Sequence, residues 1–513
     1  MNKPLDRREF LKMTGLFSLG LSIPPLALEG SRTMDDDNGK NILIVVYDAF
    51  SALNTDLYRY PRASTPNLNR LADKAVVYHN HIAGGNYTTP GTASLLTGVY
   101  PWTHRAFSLN QTVIKEYISR NIFHAFPHHH RLAYTHNPLA NTLLAQLALN
   151  IDDYIPPEEF FLLSGRSVDT LLKSDEDITY VSWVRAFERS KEGHSYSLFL
   201  SHIYESLNRK LNQLQLEAYQ SDFPRGVPDV RGSYFLLEDA TDYLQSLIKE
   251  SPKPFVGYFH FYPPHAPYAT RNDFFNAFAG DGYKPVQKPE HFFTEDKTPK
   301  MLNKKRREYD EYLLYVDAEF GRLYDFMESS GLLEDTWLIL TSDHGEMFER
   351  GILGHTTPAM SQPLIHIPLM IFEPGRTARN DVYQPTSAVD ILPTLLQVTG
   401  NAVPDWCEGV ALPPFSAPHP SGSRGIYSMD VRGNFKKKPL HKGSLVMVKE
   451  PFKLNYYYGL KELAEVDGEL IELFDIYDDP EELRDLYAED KSLAADMLDE
   501  LKSQLAAANR SFS

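Results

Sequence analysis

Two unbroken apolar runs constrain this chain more than any other feature: Ile42-Leu43-Ile44-Val45-Val46-Tyr47 and Thr336-Trp337-Leu338-Ile339-Leu340-Thr341. A strand with one wet face alternates apolar and polar residues. A strand without alternation is covered on both faces, as in a parallel sheet between helix layers. Asp48 ends the first run, and Ser342-Asp343-His344-Gly345-Glu346 follows the second. Ligands of open α/β sheets gather outside the carboxyl ends of strands, so both segments are expected to bring acidic or imidazole groups to one rim. A third apolar stretch, Ala75 to Tyr78, leads towards Gly84-Gly85. Before it, Thr65-Pro66 is expected to open a helix through Lys74, with Thr65 as N-cap.

The length of 513 residues accommodates one large α/β domain with a smaller appendage. With 42% hydrophobic and 23% charged residues, the chain is an ordinary globular protein and neither disordered nor fibrous. A net charge of -17 argues against a nucleic-acid or anionic-membrane partner, either of which needs a concentrated basic patch. The runs Lys304-Lys305-Arg306-Arg307 and Lys436-Lys437-Lys438 are too short for one and read as solvated faces. Cys407 is the single cysteine, which leaves no intramolecular disulfide and no cysteine-based zinc site, and reads as an inert thiol.

The first thirty residues read as an address. Asp6-Arg7-Arg8-Glu9-Phe10-Leu11-Lys12 precedes a modestly apolar run from Leu16 to Leu28, broken by Gly20, Pro24 and Pro25. This resembles a twin-arginine signal, which implies passage through the twin-arginine export machinery to a periplasmic or other extracytoplasmic location. The run is too short for a membrane span, which needs about 20 apolar residues, so no integral span is expected in the mature protein. Residues 31–40 read as a polar linker, with folded structure beginning at Asn41.

Thr88-Thr-Pro-Gly-Thr-Ala-Ser-Leu-Leu-Thr-Gly98 places a hydroxyl immediately before a helix start, with Pro90 in the first turn and Gly98 as the stop. The free N–H groups and the positive dipole end there suit a phosphate or sulfate beside Thr88. Asp48, Thr88, Asp343 and His344 together have a chemical logic that each lacks alone. Two carboxylates and an imidazole can hold a divalent cation, and a hydroxyl joined to that cation loses its proton readily. The mixed nitrogen and oxygen set favours one manganese or zinc ion, with calcium or magnesium as alternatives.

These segments reach a family. Asn41 to Asp48, the Thr88 loop, Pro264-His265-Ala266-Pro267-Tyr268, Thr341 to Glu346, Ile367 to Ile371 and Val389 to Thr394 stand in the order seen in sulfatases of the alkaline phosphatase superfamily. Glu472 to Leu486 is similar to that family's C-terminal signature. The resemblance implies an α/β fold: a central mixed sheet sandwiched by helices, with a smaller C-terminal α+β subdomain. It divides the chain into a catalytic domain at 41–402, a variable insertion at about 110–250 within it, and the subdomain at 403–513. By position it implies His265 and His355 as groups acting on the substrate or its leaving oxygen.

The departures decide the chemistry. Sulfatases of this family carry a cysteine, converted to formylglycine, or a serine where this chain has Thr88, so the aldehyde hydrate that expels sulfate cannot form. The usual loop arginine is Thr92, a second aspartate is replaced by Ala49, and a lysine-bearing segment aligns with Tyr134-Thr135-His136-Asn137. Thr92, His136 and Asn137 are therefore expected at substrate-binding positions. What remains resembles the single-metal set of branches acting on phosphorus. It implies a hydrolase of phosphodiester, phosphonate or, less favourably, sulfate esters of small molecules, lipids or glycans. A transferase to an alcohol acceptor and a silent binding protein of the same fold are the alternatives.

Other features carry bland expectations. His128-His129-His130 is expected in a surface loop, and a helix over 305–330 presents Tyr312, Tyr315, Phe320 and Leu323 as a packing face. Asp390 is expected as the N-cap of a helix with Pro393 in its first turn, and Asp479-Pro480-Glu481-Glu482 as a further helix start.

Overall fold

The computed structural model describes residues 39–163, 210, 214–230, 232–417 and 423–512. The twin-arginine segment, residues 31–38 of the linker and residues 164–209 of the insertion lie outside the described residues.

The central sheet contains β1 (Asn41–Asp48), β2 (Val76–Ile82), β3 (His130–Thr135), β4 (Asp153–Tyr154), β5 (Phe255–Pro264), β6 (Thr336–Thr341), β7 (His366–Phe372), β8 (Asn380–Val382) and β9 (Thr386–Ser387). Its order is β8-β2-β7-β6-β1-β5-β3-β4, with β9 also on β2. Strands β6, β1, β5, β3 and β4 are mutually parallel, and β7 runs opposite to both of its neighbours, so the sheet is mixed as expected. Every residue of β1 and β6 is buried.

The period of two along β1 explains the absence of a polar face. Leu43, Val45 and Tyr47 enter one core, together with residues of α4 (Leu237–Glu250) and α5 (Pro299–Ser329). Ile42, Ile44 and Val46 enter the other, together with residues of α2 (Thr88–Thr97), α3 (Pro138–Leu147) and α6 (Ile391–Val398). A second sheet of β10 (Ile426–Asp430), β11 (Gly443–Lys449), β12 (Phe452–Tyr458) and β13 (Glu469–Asp475) is antiparallel throughout. Met429, Met447, Leu454 and Leu473 of this sheet share a core with Met497 and Leu501 of α7 (Lys491–Arg510).

Several local expectations are corrected by long-range partners. The helix after Thr65, α1 (Pro66–Ala72), ends two residues short of Lys74, because Lys74 N–H reaches back only to Leu71 and the chain tightens into β2. Thr65 gives its hydroxyl to Asp56, and the side-chain cap comes from Asp317 of α5, which accepts the N–H groups of Asn67 and Leu68 at 2.8 Å. Thr88 is the first residue of its helix instead of the residue before it. Helix α5 begins at Pro299, capped by Thr298, and its predicted packing face is buried.

Asp390 makes no side-chain cap to α6. It completes a capping box with Ser387 and forms an ion pair with Arg424 at 2.6 Å. No helix starts at Asp479; that segment is turns, with Glu482 drawn inward to the buried Lys453. His130 opens β3 and pairs with Asp153 at 2.7 Å, so the histidine run lies in a loop only up to His129.

Candidate active site

Register brings the acidic rim together. Val46 of β1 faces both His260 of β5 and Thr341 of β6, so Asp48, His260 and Asp343 emerge at the same end of three adjacent parallel strands. A bulge between Tyr47 and Asp48 turns the carboxylate out of the ladder. Ala49 then takes a left-handed φ of 60° and gives its N–H to Asp343 Oδ1 at 3.3 Å. Ser342 Oγ ties the two strand ends together: it accepts the Phe50 N–H at 2.9 Å and lies 2.7 and 2.6 Å from the Tyr47 and His344 carbonyls, one of which takes its proton.

Thr88 reaches this rim because α2 runs directly against it. A Cβ built on Gly91 would stand 2.1 Å from the Asp343 carbonyl oxygen, so only glycine permits this approach one turn after Thr88. Thr88 Oγ1 lies 3.5 Å from His344 Nε2 and accepts a hydrogen bond from Asn137 Nδ2 at 3.1 Å. Asn137 has two roles. Its Oδ1 caps α3 by accepting from Leu139 and Ala140, and its Nδ2 also donates to Asp48.

Asp48, Asp343 and His344 are buried, each with a donor atom within 4.8 Å of the others. His344 Nδ1 donates to the Gly345 carbonyl at 2.8 Å, which leaves Nε2 as an acceptor, 3.3 Å from Asp48 and 3.6 Å from Asp343. Asp48 Oδ1 and Asp343 Oδ2 are buried without a hydrogen-bond partner. Two orphaned carboxylate oxygens and a bare imidazole nitrogen around one space are the donor set that a divalent cation satisfies. Burial works against charge here, yet His260, His265 and His344 hold the Asp48 carboxyl well below its ordinary range. Burial likewise opposes a charged His344, but Asp343 and Asp48 carry its imidazole up to about 9. That field will bind a cation or a proton.

His265 and His355 line the Thr88 cavity of about 260 Å³, together with Asn137, Tyr262, Thr356 and Arg432. Their rings lie 4.9 Å apart, and His355 is 4.4 Å from the ring of His344. His265 Nδ1 donates to the Ala266 carbonyl at 2.7 Å, and His355 Nδ1 faces Glu346 at 3.0 Å. Burial lowers the pKa of His355, opposed by Glu346. Thr92 and His136 are absent from the cavity wall. Thr92 points into the core beside the Tyr258 hydroxyl, and His136 stacks on Phe235 at 4.1 Å, with burial lowering its pKa to about 3. Cys407 is half-buried, its thiol pushed up to about 12 by burial, in keeping with an inert role.

Sequence reasoning missed His260. Its Nε2 lies 3.4 Å from Asp48 and 3.7 Å from Asp343, and its Nδ1 is 3.2 Å from the Tyr258 hydroxyl. A histidine between Phe259 and Phe261 reads as a core residue; only its register opposite Val46 marks it. Arg432 was missed too. It comes from the loop after β10, pairs with Asp430 and lies over the Tyr87 ring at 4.8 Å.

A doubly covered mixed sheet with a hydroxyl, two carboxylates and an imidazole converging on its rim defines a class: α/β hydrolases of the alkaline phosphatase superfamily. Residues 40–143 and 189–401 match the family described as Sulfatase, and the chain belongs to it as a hydrolase acting on ester bonds. It is 25% identical to the multifunctional alkaline phosphatase superfamily protein PehA of Trinickia caryophylli, over 89% of this chain and 92% of that one. It is 26% identical to an ulvan-active sulfatase of Formosa agariphila, over 77% of this chain and 69% of the relative. The phosphonate monoester hydrolase of Agrobacterium radiobacter shares the fold with a TM-score of 0.62 at 20% identity, covering 91% of this chain and 96% of that one. Enzymes of this family use a divalent metal.

Proposed function

We propose that the protein is an exported, metal-dependent hydrolase of phosphodiesters or phosphonate monoesters, acting through a covalent adduct on Thr88, with sulfate esters the poorer substrates. One observation carries the reading: the Thr88 hydroxyl sits at a helix N-terminus between Asn137 and His344, beside the orphaned oxygens of Asp48 and Asp343. Asp48, Asp343, His344 and Thr88 would hold the cation, with manganese or zinc suiting this donor set. When bound, the cation lowers the pKa of the hydroxyl and takes up charge developing on substrate oxygen.

Asn137 orients Thr88 Oγ1, which gives up its proton to solvent and attacks phosphorus as the bond to the leaving oxygen breaks. His265 or His355 gives that oxygen a proton. In the second half, the same imidazole takes a proton from water, water oxygen bonds to phosphorus, and the phosphorus–Oγ1 bond breaks as Oγ1 takes a proton back from solvent to restore Thr88. A sulfo-threonine has no aldehyde elimination to release it, whereas a phospho-threonine is open to in-line attack.

Charge supports the same preference. Arg432 is the one arginine or lysine lining this cavity among the described residues, and Asp430 already pairs with it. A singly charged diester or phosphonate ester fits that balance better than a dianionic monoester. The division at 41–402 and 403–513 belongs to this proposal. So does the extracytoplasmic location; among the described residues no helix is long and apolar enough to cross a membrane. The test is bound-metal analysis with a panel of aryl phosphodiester, phosphonate, phosphomonoester and sulfate esters, on the wild type, Thr88→Ala and Asp343→Asn. Diester or phosphonate turnover that leads the panel and is lost in both variants supports the reading. Undiminished turnover in Thr88→Ala ends it.

A further inference from the structure

The Thr88 cavity draws one wall from the antiparallel sheet. Met429 of β10 gives its N–H to the Gly84 carbonyl at 3.1 Å, and a Cβ built on Gly85 would stand 2.9 Å from the Met429 carbonyl oxygen. The end of β10 therefore lies directly against the segment that leads into Thr88. The loop that follows is fastened from within. Asn434 Nδ2 donates to the Val431 and Lys442 carbonyls at 2.7 Å each, and Gly433 turns the chain with a φ of 76°. Arg432 thus reaches the cavity wall on a support that is set before any ligand arrives.

Its guanidinium is largely committed. Nε lies 2.9 and 3.0 Å from the two Asp430 oxygens, and Nη2 donates to Asp430 and, at 3.3 Å, to the Thr357 carbonyl. The Tyr87 ring beneath it fixes the plane. Nη1 is the one guanidinium nitrogen without a hydrogen-bond partner among the described residues. Asp430 is 6% exposed, and among the described residues its carboxylate accepts from Arg432 alone, through the side chain and through the backbone N–H at 3.1 Å. Orienting an arginine needs only an acceptor, which a carbonyl such as that of Thr357 supplies. A carboxylate does more: it sets a negative charge behind the one arginine or lysine that an anion in this cavity would meet.

We propose that Asp430 is a positioning residue that sets the substrate charge this cavity accepts: it holds Arg432 in place and offsets its charge, so that a monoanion is admitted and a dianion disfavoured. The assignment rests on the phosphorus-ester reading above and names the group responsible for its charge preference. Such a role has a signature that a purely structural one lacks. Coulomb energy scales with ligand charge, so whatever factor a monoanion gains when the carboxylate is neutralised, a dianion gains about its square. The ligands are dimethyl phosphate and inorganic phosphate at about pH 8, where they carry about one and two charges. They are titrated calorimetrically into the full-length wild type and Asp430→Asn, a change that keeps shape and acceptor but removes charge, with thermal unfolding as the check on fold. Asp430→Asn should bind dimethyl phosphate about threefold and inorganic phosphate about tenfold more tightly, and both gains should shrink as salt is raised. With nitrophenyl phosphate and methyl nitrophenyl phosphate as substrates, selectivity should move towards the monoester through KM, with kcat little changed. Arg432→Gln should weaken inorganic phosphate more than dimethyl phosphate. Equal effects on the two ligands in folded Asp430→Asn, no effect at all, or no binding of either ligand to either protein would overturn the assignment. The titrations are repeated in the Thr88→Ala background, where binding needs no attack by Thr88. Turnover that survives Thr88→Ala while the Asp430→Asn shift persists would end the covalent reading and still support the role of Asp430.

Discussion

Gly91→Ala tests whether the approach of α2 to the rim sets the activity. A methyl at this position would stand 2.1 Å from the Asp343 carbonyl oxygen, and real contacts of this kind are essentially never under 3.0 Å. The obstacle is backbone, so it cannot rotate away, and α2 and the Asp343 segment must separate by about 1 Å, a displacement that can cost about a hundredfold in rate when reacting groups are misplaced. Two stability effects oppose one another: alanine favours the helix by about 0.5–1 kcal/mol over glycine, and overpacking costs about 1–3 kcal/mol. The variant should therefore stay folded, with a modest loss of stability, while kcat/KM for an aryl phosphodiester falls about a hundredfold. Bound metal should fall in parallel, because Thr88 and Asp343 move apart. The assays are steady-state kinetics, metal analysis and thermal unfolding on one preparation. Wild-type kcat/KM in a folded Gly91→Ala protein would refute the argument that this contact positions Thr88.

Three further outcomes are expected. Thr88→Ser should retain kcat/KM within about tenfold while Thr88→Ala loses at least about a thousandfold, with metal content preserved in the serine variant, as read by kinetics and metal analysis. His260→Ala should lower metal affinity about 10- to 100-fold in a calorimetric titration, because His260 lies against both carboxylates; an unchanged affinity would reduce it to a core residue. Burial raises the Glu472 carboxyl, but His291, Asn455 and Tyr457 outweigh it and hold the pKa down at about 2, against an ordinary 4.5. A depressed carboxylate stabilises above its unfolded pKa and loses that contribution as pH falls from about 4.5 through 2. Glu472→Gln should therefore cost roughly 3 kcal/mol at neutral pH, and the difference from wild type should shrink towards pH 2 in chemical unfolding.

Much of the site was legible because its chemistry is written locally. Asp48 and Asp343-His344 directly follow apolar runs, and the Thr88 segment carries its own helix signals in Pro90 and Gly98. The readings that failed depended on partners far along the chain. Thr65 and Asp390 are good caps by type, yet Asp317 and Arg424 redirect both arrangements. The start at Asp479-Pro480 loses its helix because Glu482 is committed to Lys453. His260 escaped notice because a lone imidazole among aromatic residues has the same sequence signature whether it packs in a core or faces a carboxylate.

By itself the sequence determined that β1 and β6 are covered on both faces, since an unalternating run has no side to offer water, and that carboxylates lie at their ends. Only the tertiary structure decided that these ends coincide. Parallel register aligns Val46 with His260 and Thr341, and the missing side chain of Gly91 lets α2 close on Asp343. The physical reason is range: apolar patterning and helix signals such as Pro90 and Gly98 are written between near neighbours in sequence, whereas the space shared by Asp48, Thr88, Asp343 and His344 exists only once strand pairing and helix packing have brought distant segments within a few ångströms.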